Sequence, residues 1–219
     1  MGKVLTILHT TPVTVKILTD IAREVLPEDV VLRNVVDDSL LNDTRKAGYL
    51  TKDVTRRLVT YVQLAEYHGS DCVLLSCSSV SPAVDVAREV VNIPVLKIDE
   101  PMAEEAVRKG SHIAVLATVS TTLKPTSELI VKAGRKAGID VNVETFLCDD
   151  VFDALSRGDI DRHNRLLMSH IVNVAGSFDV VVLAQASMTN IYPELPEEIK
   201  PRVLTSPRLG LARAAEVLT

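Results

Sequence analysis

Short apolar runs separated by helix-length segments constrain the fold of this chain most strongly. Four runs of strand length occupy the first half: KVLTILH (3–9), DVVLRNVVD (29–37), DCVLLSC (71–77) and IPVLKID (93–99). The segments between them carry apolar residues at helical spacing, as at Val54, Leu58, Val62 and Ala65. Strands that are apolar on both faces and alternate with helices are typical of parallel sheets covered by helices.

The second half of the chain repeats this pattern at offsets of 108 and 109 residues. The repeated strands are SHIAVLAT (111–118), DVVVLAQASM (179–188) and RVL (202–204), and helices 126–137 and 162–175 correspond to helices 12–25 and 54–67. We therefore predict an α/β fold of two similar Rossmann-like units with parallel sheets, related by a pseudo-two-fold axis, with a cleft between them. Residues 1–99 and a C-terminal helix, 206–219, form the first predicted domain, and residues 100–205 form the second.

Loops rich in Thr, Ser and small residues follow the carboxyl ends of the predicted strands, where open α/β sheets bind their ligands. These loops are 9–13, 77–82, 118–122 and 185–190. Three of them lead into helices, whose N-termini offer free N–H groups and a partial positive charge. This arrangement favours a small carboxylate as ligand.

Three cysteines raise the question of reactivity. Cys72 lies inside a predicted strand, where a core thiol is expected, and Cys148 ends another strand. Cys77 ends its strand and is followed by small hydroxyl residues at a helix start. A free cysteine after an apolar run is often a core residue. Because a helix N-terminus lowers a thiol pKa, however, Cys77 is also a candidate reactive thiol.

Several classes of protein are disfavoured. The formal charge is −5 with both signs dispersed, so the sequence does not indicate nucleic-acid binding. The apolar runs are too short to cross a membrane, and the N-terminus lacks the pattern of a signal peptide. No metal-ligand spacing or nucleotide-binding glycine motif is present, so neither a metal nor a cofactor is expected. Three unpaired cysteines favour a cytoplasmic location.

Two short motifs carry a resemblance to a known family. SCSSVS (76–81) resembles the Cys-(Asn/Ser)-(Thr/Ser) motif of the aspartate/glutamate racemase superfamily, and LAQASM (183–188) stands where its second half has Leu-(Gly/Ala)-Cys-Thr. That superfamily includes hydantoin racemase, maleate isomerase and arylmalonate decarboxylase. The resemblance implies cofactor-independent chemistry beside the carboxylate of a small organic or amino acid. Its racemases use two thiols on opposite faces of the substrate.

The chain departs from the family at the second thiol, because the position that matches Cys77 holds Gln185. Glutamine is neither an acid nor a base near neutral pH. The resemblance therefore implies a one-thiol enzyme of the racemase, isomerase or decarboxylase type. The alternative is a non-catalytic protein that binds small carboxylates. In either case we expect a homodimer or a higher homo-oligomer.

The expected catalytic residue is Cys77. The expected substrate-binding residues are His9, Thr10, Thr11, Ser78, Ser79, Val80, Thr118, Ser120, Thr121, Gln185, Ser187 and Met188. For His9, a structural hydrogen bond is the competing interpretation, and the serines and threonines could also act only as helix caps or loop residues. Asp37 and Asp38 are interpreted as ordinary loop acids.

Overall fold

Two four-stranded parallel sheets organise the chain, in a computed structural model that describes residues 2–157 and 159–219. The first sheet has the order β2-β1-β3-β4 and the second β6-β5-β7-β8. The strands are β1 Val4–His9, β2 Val31–Val36, β3 Cys72–Leu75, β4 Val95–Lys97, β5 His112–Ala117, β6 Asn142–Leu147, β7 Val180–Leu183 and β8 Val203–Thr205. Every neighbouring pair is parallel, as the apolar runs predicted.

Helices connect the strands. They are α1 Val13–Val25, α2 Ser39–Ala47, α3 Lys52–Tyr67, α4 Ala83–Arg88, α5 Glu100–Lys109, α6 Ser120–Ala137, α7 Asp149–Ser156, α8 Ile160–Ala175 and α9 Ser206–Leu218. Short 3₁₀ helices follow β3 and β7, at Ser78–Val80 and Ala186–Glu194, and a third precedes β8 at Lys200–Arg202. In the described part of the chain, no helix has the length and apolarity required to cross a membrane.

The internal repeat is visible strand by strand. β5, β7 and β8 begin 108 positions after β1, β3 and β4, and α8 begins 108 positions after α3 with the same length of 16 residues. The offset of 109 expected for the first strand pair is therefore wrong by one residue. The prediction of two similar α/β units with parallel sheets is confirmed.

Each sheet is covered by helices on its faces. In β3, Cys72 and Leu74 pack with α1 and α9 on one face, whereas Val73 and Leu75 pack with α3 and α4 on the other. This alternation follows from the two-residue period of a strand. It confirms that Cys72 is a core residue.

The chain divides into two compact units. One comprises Met1–Pro101 with Pro207–Thr219, and the other comprises Met102–Ser206. The C-terminal helix thus belongs with the first unit, where Leu211, Ala214 and Leu218 join the same core as β1 and β3. The second unit has its own core, formed by β5, β7, α7 and α8 around Leu116, Leu167 and Ile171.

Some helix boundaries differ from the expected ones. α6 begins at Ser120 rather than at residue 126, and Pro125 lies inside the helix. α1 begins at Val13 with Pro12 as its N-cap, and the Thr11 side chain accepts only a long contact of 3.4 Å from the backbone N–H of Val13. α3 begins at Lys52, two residues before the expected residue 54, because the Thr51 hydroxyl caps the helix by accepting from the backbone N–H of Val54 at 3.2 Å.

Candidate functional site

The register of the first sheet brings three polar side chains to one edge. Leu8 in β1 pairs with Leu75 in β3, and Leu75 pairs with Lys97 in β4. Two residues further along each chain segment come Thr10, Cys77 and Asp99. Because the strands are parallel, their carboxyl ends lie at the same edge, and these three residues form the centre of the candidate site.

Cys77 is the N-cap of the 3₁₀ helix at Ser78–Val80 and is partly exposed. Burial raises the pKa of its thiol, while hydrogen bonds with the Thr10 hydroxyl and with the backbone N–H groups of Ser79 and Val80 lower it. The nearby charge of Asp99 raises it again. The net direction is upward, so the expectation of a depressed pKa in the free protein is wrong: desolvation outweighs the donors around the sulfur.

Asp99 was not predicted as a site residue, yet it is the most unusual side chain at this edge. It is fully buried, at 0% exposure. Neither carboxylate oxygen has a hydrogen-bond partner of acceptable geometry among the residues that the structure describes, although the Ser78 hydroxyl comes close enough to favour the charged form. Burial raises the pKa of Asp99 despite this contact and the positive charge of Lys97.

Both ring nitrogens of His9 have hydrogen-bond partners within the first unit. Its Nε2 lies 2.9 Å from Oδ1 of Asn34, and its Nδ1 lies 2.8 Å from Oγ1 of Thr14. The side chain is fully buried, and burial lowers the pKa of His9. A neutral ring that donates from Nε2 to Asn34 leaves Nδ1 as an acceptor, and the single proton of the Thr14 hydroxyl is shared between Nδ1 and the Thr11 carbonyl, which lies 3.1 Å from that hydroxyl. This geometry favours the structural interpretation of His9 over direct contact with a substrate.

The second unit contains the matching pair. Gln185 follows β7 as Cys77 follows β3, and each is the N-cap of a 3₁₀ helix in an extended backbone conformation. Oε1 of Gln185 accepts from the backbone N–H of Thr118 at 2.5 Å and from its hydroxyl at 3.0 Å. The Thr10–Cys77 pair of the first unit thus recurs 108 positions later as Thr118–Gln185.

The other predicted binding residues divide into two groups. Val80 and Met188 pack into the cores of their units, so their side chains are not available to a substrate, and the backbone N–H of Val80 is the group that faces Cys77. The hydroxyl residues lie at the sheet edges with varied exposure. Ser78 and Ser79 are buried, Thr11, Thr121 and Ser187 are partly exposed, and Ser120 is exposed at the start of α6.

The remaining candidates have structural surroundings. Cys72 and Cys148 are fully buried, and burial raises the pKa of each thiol to about 12. Oδ1 of Asp37 accepts from the backbone N–H and hydroxyl of Ser39 at the start of α2, and Oδ2 accepts from the Tyr61 hydroxyl at 3.0 Å. Within residues 2–157 and 159–219, no group of three His, Cys, Asp or Glu side chains is arranged to hold a metal ion.

Comparison with known proteins gives a family for this arrangement. The profile of the family described as Asp/Glu/Hydantoin racemase matches residues 5–214. A glutamate racemase from Sulfurihydrogenibium sp. (strain YO3AOP1) is 34% identical over 99 residues. That match covers 42% of this chain and 38% of the relative, so it spans well under half of the relative's length.

Solved structures show the same fold at low sequence identity. A glutamate racemase from Bacillus anthracis has a TM-score of 0.75 at 15% identity, covering 99% of this chain and 81% of the other. The Picrophilus torridus aspartate racemase has a TM-score of 0.72 at 16% identity, covering 98% and 95% of the two chains. The allantoin racemase from Klebsiella pneumoniae has a TM-score of 0.68 at 13% identity, covering 99% and 87%. With its profile match extending over nearly the whole sequence, this chain belongs to the Asp/Glu/hydantoin racemase family.

Proposed function

We propose that this chain is a cofactor-independent enzyme that acts beside the carboxylate of a small organic or amino acid, with Cys77 as its proton-transferring thiol. One observation supports this role above the others. Cys77 is the partly exposed cysteine, and its sulfur meets the Thr10 hydroxyl and two backbone N–H groups, whereas Cys72 and Cys148 are buried. Those donors stabilise the thiolate whenever it forms.

The matching position in the second unit argues for chemistry on one face of the substrate. Gln185 cannot exchange a proton near neutral pH, and its Oε1 is already bound to Thr118. In an isomerase reaction the Cα–H bond breaks, its proton moves to the Cys77 thiolate, an enediolate forms, and a proton from solvent adds to the other face of the enediolate. In a decarboxylation the bond to a carboxylate carbon breaks, carbon dioxide leaves, and the enediolate takes its proton from the Cys77 thiol.

Hydroxyl residues at the carboxyl edge of each sheet are the proposed carboxylate-binding groups of that unit. They are Thr10, Thr11, Ser78 and Ser79 in the first unit and Thr118, Ser120, Thr121 and Ser187 in the second. Hydroxyl groups and the positive end of a helix dipole, such as that at the start of α6, stabilise carboxylates and enediolates. The cytoplasmic location and the homo-oligomer expected from the sequence stay predictions.

A second candidate, non-catalytic binding of small carboxylates, is favoured by a different observation. The pKa of Cys77 is raised by burial, so the thiol form dominates in the free protein. A pure binding protein needs no thiolate, and it would tolerate both the raised pKa and the glutamine at position 185.

Turnover of small acids distinguishes the two candidates. Aspartate, glutamate, allantoin and substituted malonates are each incubated with the protein in D₂O, and proton NMR follows exchange at the α-carbon and loss of the carboxylate. An enzyme exchanges or decarboxylates at least one of them, and Cys77→Ala abolishes that activity while Cys72→Ala retains it. Binding by calorimetry without turnover would support the binding protein, and full activity in Cys77→Ala would exclude the proposed thiol.

A further inference from the structure

Asp99 is a carboxyl group in surroundings that disfavour its charge. Its side chain is fully buried, and in the described part of the chain neither oxygen accepts a hydrogen bond of acceptable geometry. An ionised carboxylate without such bonds is costly in a protein interior. A buried group of this kind either lowers the free energy of unfolding without any benefit or takes part in a reaction.

The position of Asp99 favours a reaction. It follows β4 at the same sheet edge where Cys77 follows β3, in matching register, and its charge acts on the Cys77 thiol. The 3₁₀ residue Ser78 directly follows Cys77 in the chain, and its hydroxyl approaches the Asp99 carboxylate. The thiol and the acid are therefore neighbours within one unit.

The internal repeat provides an independent comparison. The positions 108 residues after Cys77 and Asp99 hold Gln185 and Pro207. The unit that has the thiol also has the buried acid, and the matching positions of the repeat carry groups that do not titrate. The buried acid is therefore present in the unit that has the thiol and absent from the matching position of the repeat, which shares only the fold.

The other charged groups facing Asp99 have partners of their own. Nζ of Lys97, itself only 4% exposed, lies 2.8 Å from Oδ1 of Asp85. Both oxygens of Glu100 accept from the guanidinium of Arg88, at 3.0 and 2.8 Å. Of the titratable groups that act on Asp99 or lie beside it, Cys77 is the one that the proposed reaction requires to change its protonation.

We propose that Asp99 is the positioning residue for the Cys77 proton: its carboxylate accepts the proton when the thiolate forms and returns it when the thiol is restored. This rests on the proposed function of Cys77. In the step, the S–H bond breaks and an O–H bond forms on Asp99, so the net charge of the pair is unchanged. Because neither Asp99 oxygen bonds the sulfur directly, the Ser78 hydroxyl, which approaches Asp99, is the group that relays the proton. The transfer converts a buried carboxylate into a neutral acid at the moment when negative charge appears on the sulfur.

The rate at which iodoacetamide alkylates Cys77, measured from pH 4 to 10 by peptide mass spectrometry, tests the pair without a substrate. Two groups that share one proton titrate as a pair. In the wild-type protein the logarithm of the rate should therefore rise in two steps separated by a plateau, because between the two steps a constant fraction of the pair is thiolate with neutral Asp99. A wild-type profile with a single step would overturn the proposal.

Asp99→Asn supplies the variant test, with Asp99→Leu as a second uncharged replacement. Both should give one step at a lower pH than the upper step of the wild type, because the negative charge that raises the thiol pKa is gone. Asp38→Asn is the matched control, since Asp38 is an exposed N-cap residue of α2, and it should keep two steps. Two steps that persist in Asp99→Asn would assign the second proton elsewhere and reject the proposal.

Turnover separates this inference from the proposed function. Asp99→Asn should lower turnover by about 100-fold or more, within the range for loss of a general base, although it leaves Cys77 more ionised. A merely structural role would lower turnover without changing the alkylation profile. If Cys77→Ala is inactive and Asp99→Asn keeps the wild-type dependence of alkylation rate on pH, the proposed role of Cys77 is supported and the proposed role of Asp99 is rejected.

Discussion

The hydroxyl of Thr118 lies 3.0 Å from Oε1 of Gln185, and the backbone N–H of Thr118 donates to the same oxygen. This pair occupies the position that Thr10 and Cys77 occupy in the first unit. Where one unit directs its donors at a sulfur that can carry charge, the other directs them at an amide oxygen that cannot. The two units therefore share a fold and differ in chemistry.

Gln185 should matter for stability as an acceptor. Gln185→Leu leaves the N–H and hydroxyl of Thr118, a residue only 8% exposed, without that oxygen. A buried unsatisfied donor costs about 1–3 kcal/mol, so the free energy of unfolding in urea should fall by roughly that amount. Gln185→Glu keeps an acceptor oxygen and serves as the control. Equal stability of Gln185→Leu and the wild type would show that the contact is energetically neutral.

Thr10 should control the ionisation of Cys77. Thr10→Val removes the hydroxyl whose hydrogen bond lowers the thiol pKa, while it keeps the shape of the side chain. The apparent pKa of Cys77 should rise, and iodoacetamide should label it more slowly at neutral pH. Thr11→Val is the matched control, because Thr11 is the next residue in the chain and is partly exposed. In this variant Cys77 should be labelled at the wild-type rate. Faster labelling in Thr10→Val would contradict the assignment of this bond.

Asp99 should lower the stability of the fold at neutral pH. Its pKa in the folded state is raised above the ordinary value of 3.8, so the folded protein binds its proton more tightly than the unfolded chain. The associated stability is present below pH 3.8 and is lost as pH rises through the folded-state pKa. Asp99→Asn should therefore unfold at a higher urea concentration than the wild type at pH 7, and the difference should shrink towards pH 4. Lower stability of the variant at pH 7 would contradict this view.

Gly210 should be needed for α9 to approach β4. A Cβ at this position would lie 2.7 Å from both the carbonyl oxygen and Cγ1 of Ile98, the residue before Asp99. Gly210→Ala should lower the free energy of unfolding by about 1–3 kcal/mol, as overpacking does. Gly176→Ala is the control, because a Cβ there meets open space at a helical backbone conformation, and it should be neutral or stabilising by about 0.4–1 kcal/mol. Tolerance of Gly210→Ala would mean that α9 can shift without cost.

The sequence predicted the strands and the repeat because both follow from local patterns. Fully apolar runs of strand length between helical segments, such as Val180–Leu183, favour buried strands, and the offset of 108 residues relates them to the strands of the first half. Cys77 was found in the same way, as a cysteine where a strand ends. Helices α2, α5 and α7 were missed. α2 buries only Leu40 and Thr44 in nine residues, and α5 begins at Glu100-Pro101, where the predicted domain boundary lies.

The site needed distances that the sequence does not contain. The sequence prediction places Asp99 at the end of the first domain and not in the site, although an acid that follows a parallel strand lies at the same sheet edge as a cysteine that follows the neighbouring strand. The position of Asp99 at the end of a predicted strand was therefore a usable sequence signal for the site. The bond between His9 and Asn34 depends on the pairing of β1 with β2. The raised pKa of Cys77 depends on how deeply the folded chain buries its sulfur, which a helix-start pattern does not reveal.

The central claim is that one thiol transfers the proton on one face of the substrate. The most direct measurement follows the stereochemistry of deuterium entering the α-carbon of a turned-over acid in D₂O, by proton NMR and chiral chromatography. In the first turnovers, before product is consumed again, the one-thiol mechanism predicts a single labelled enantiomer, formed by the wild-type protein and absent with Cys77→Ala. A racemic labelled product, or an unchanged rate in Cys77→Ala, would contradict it.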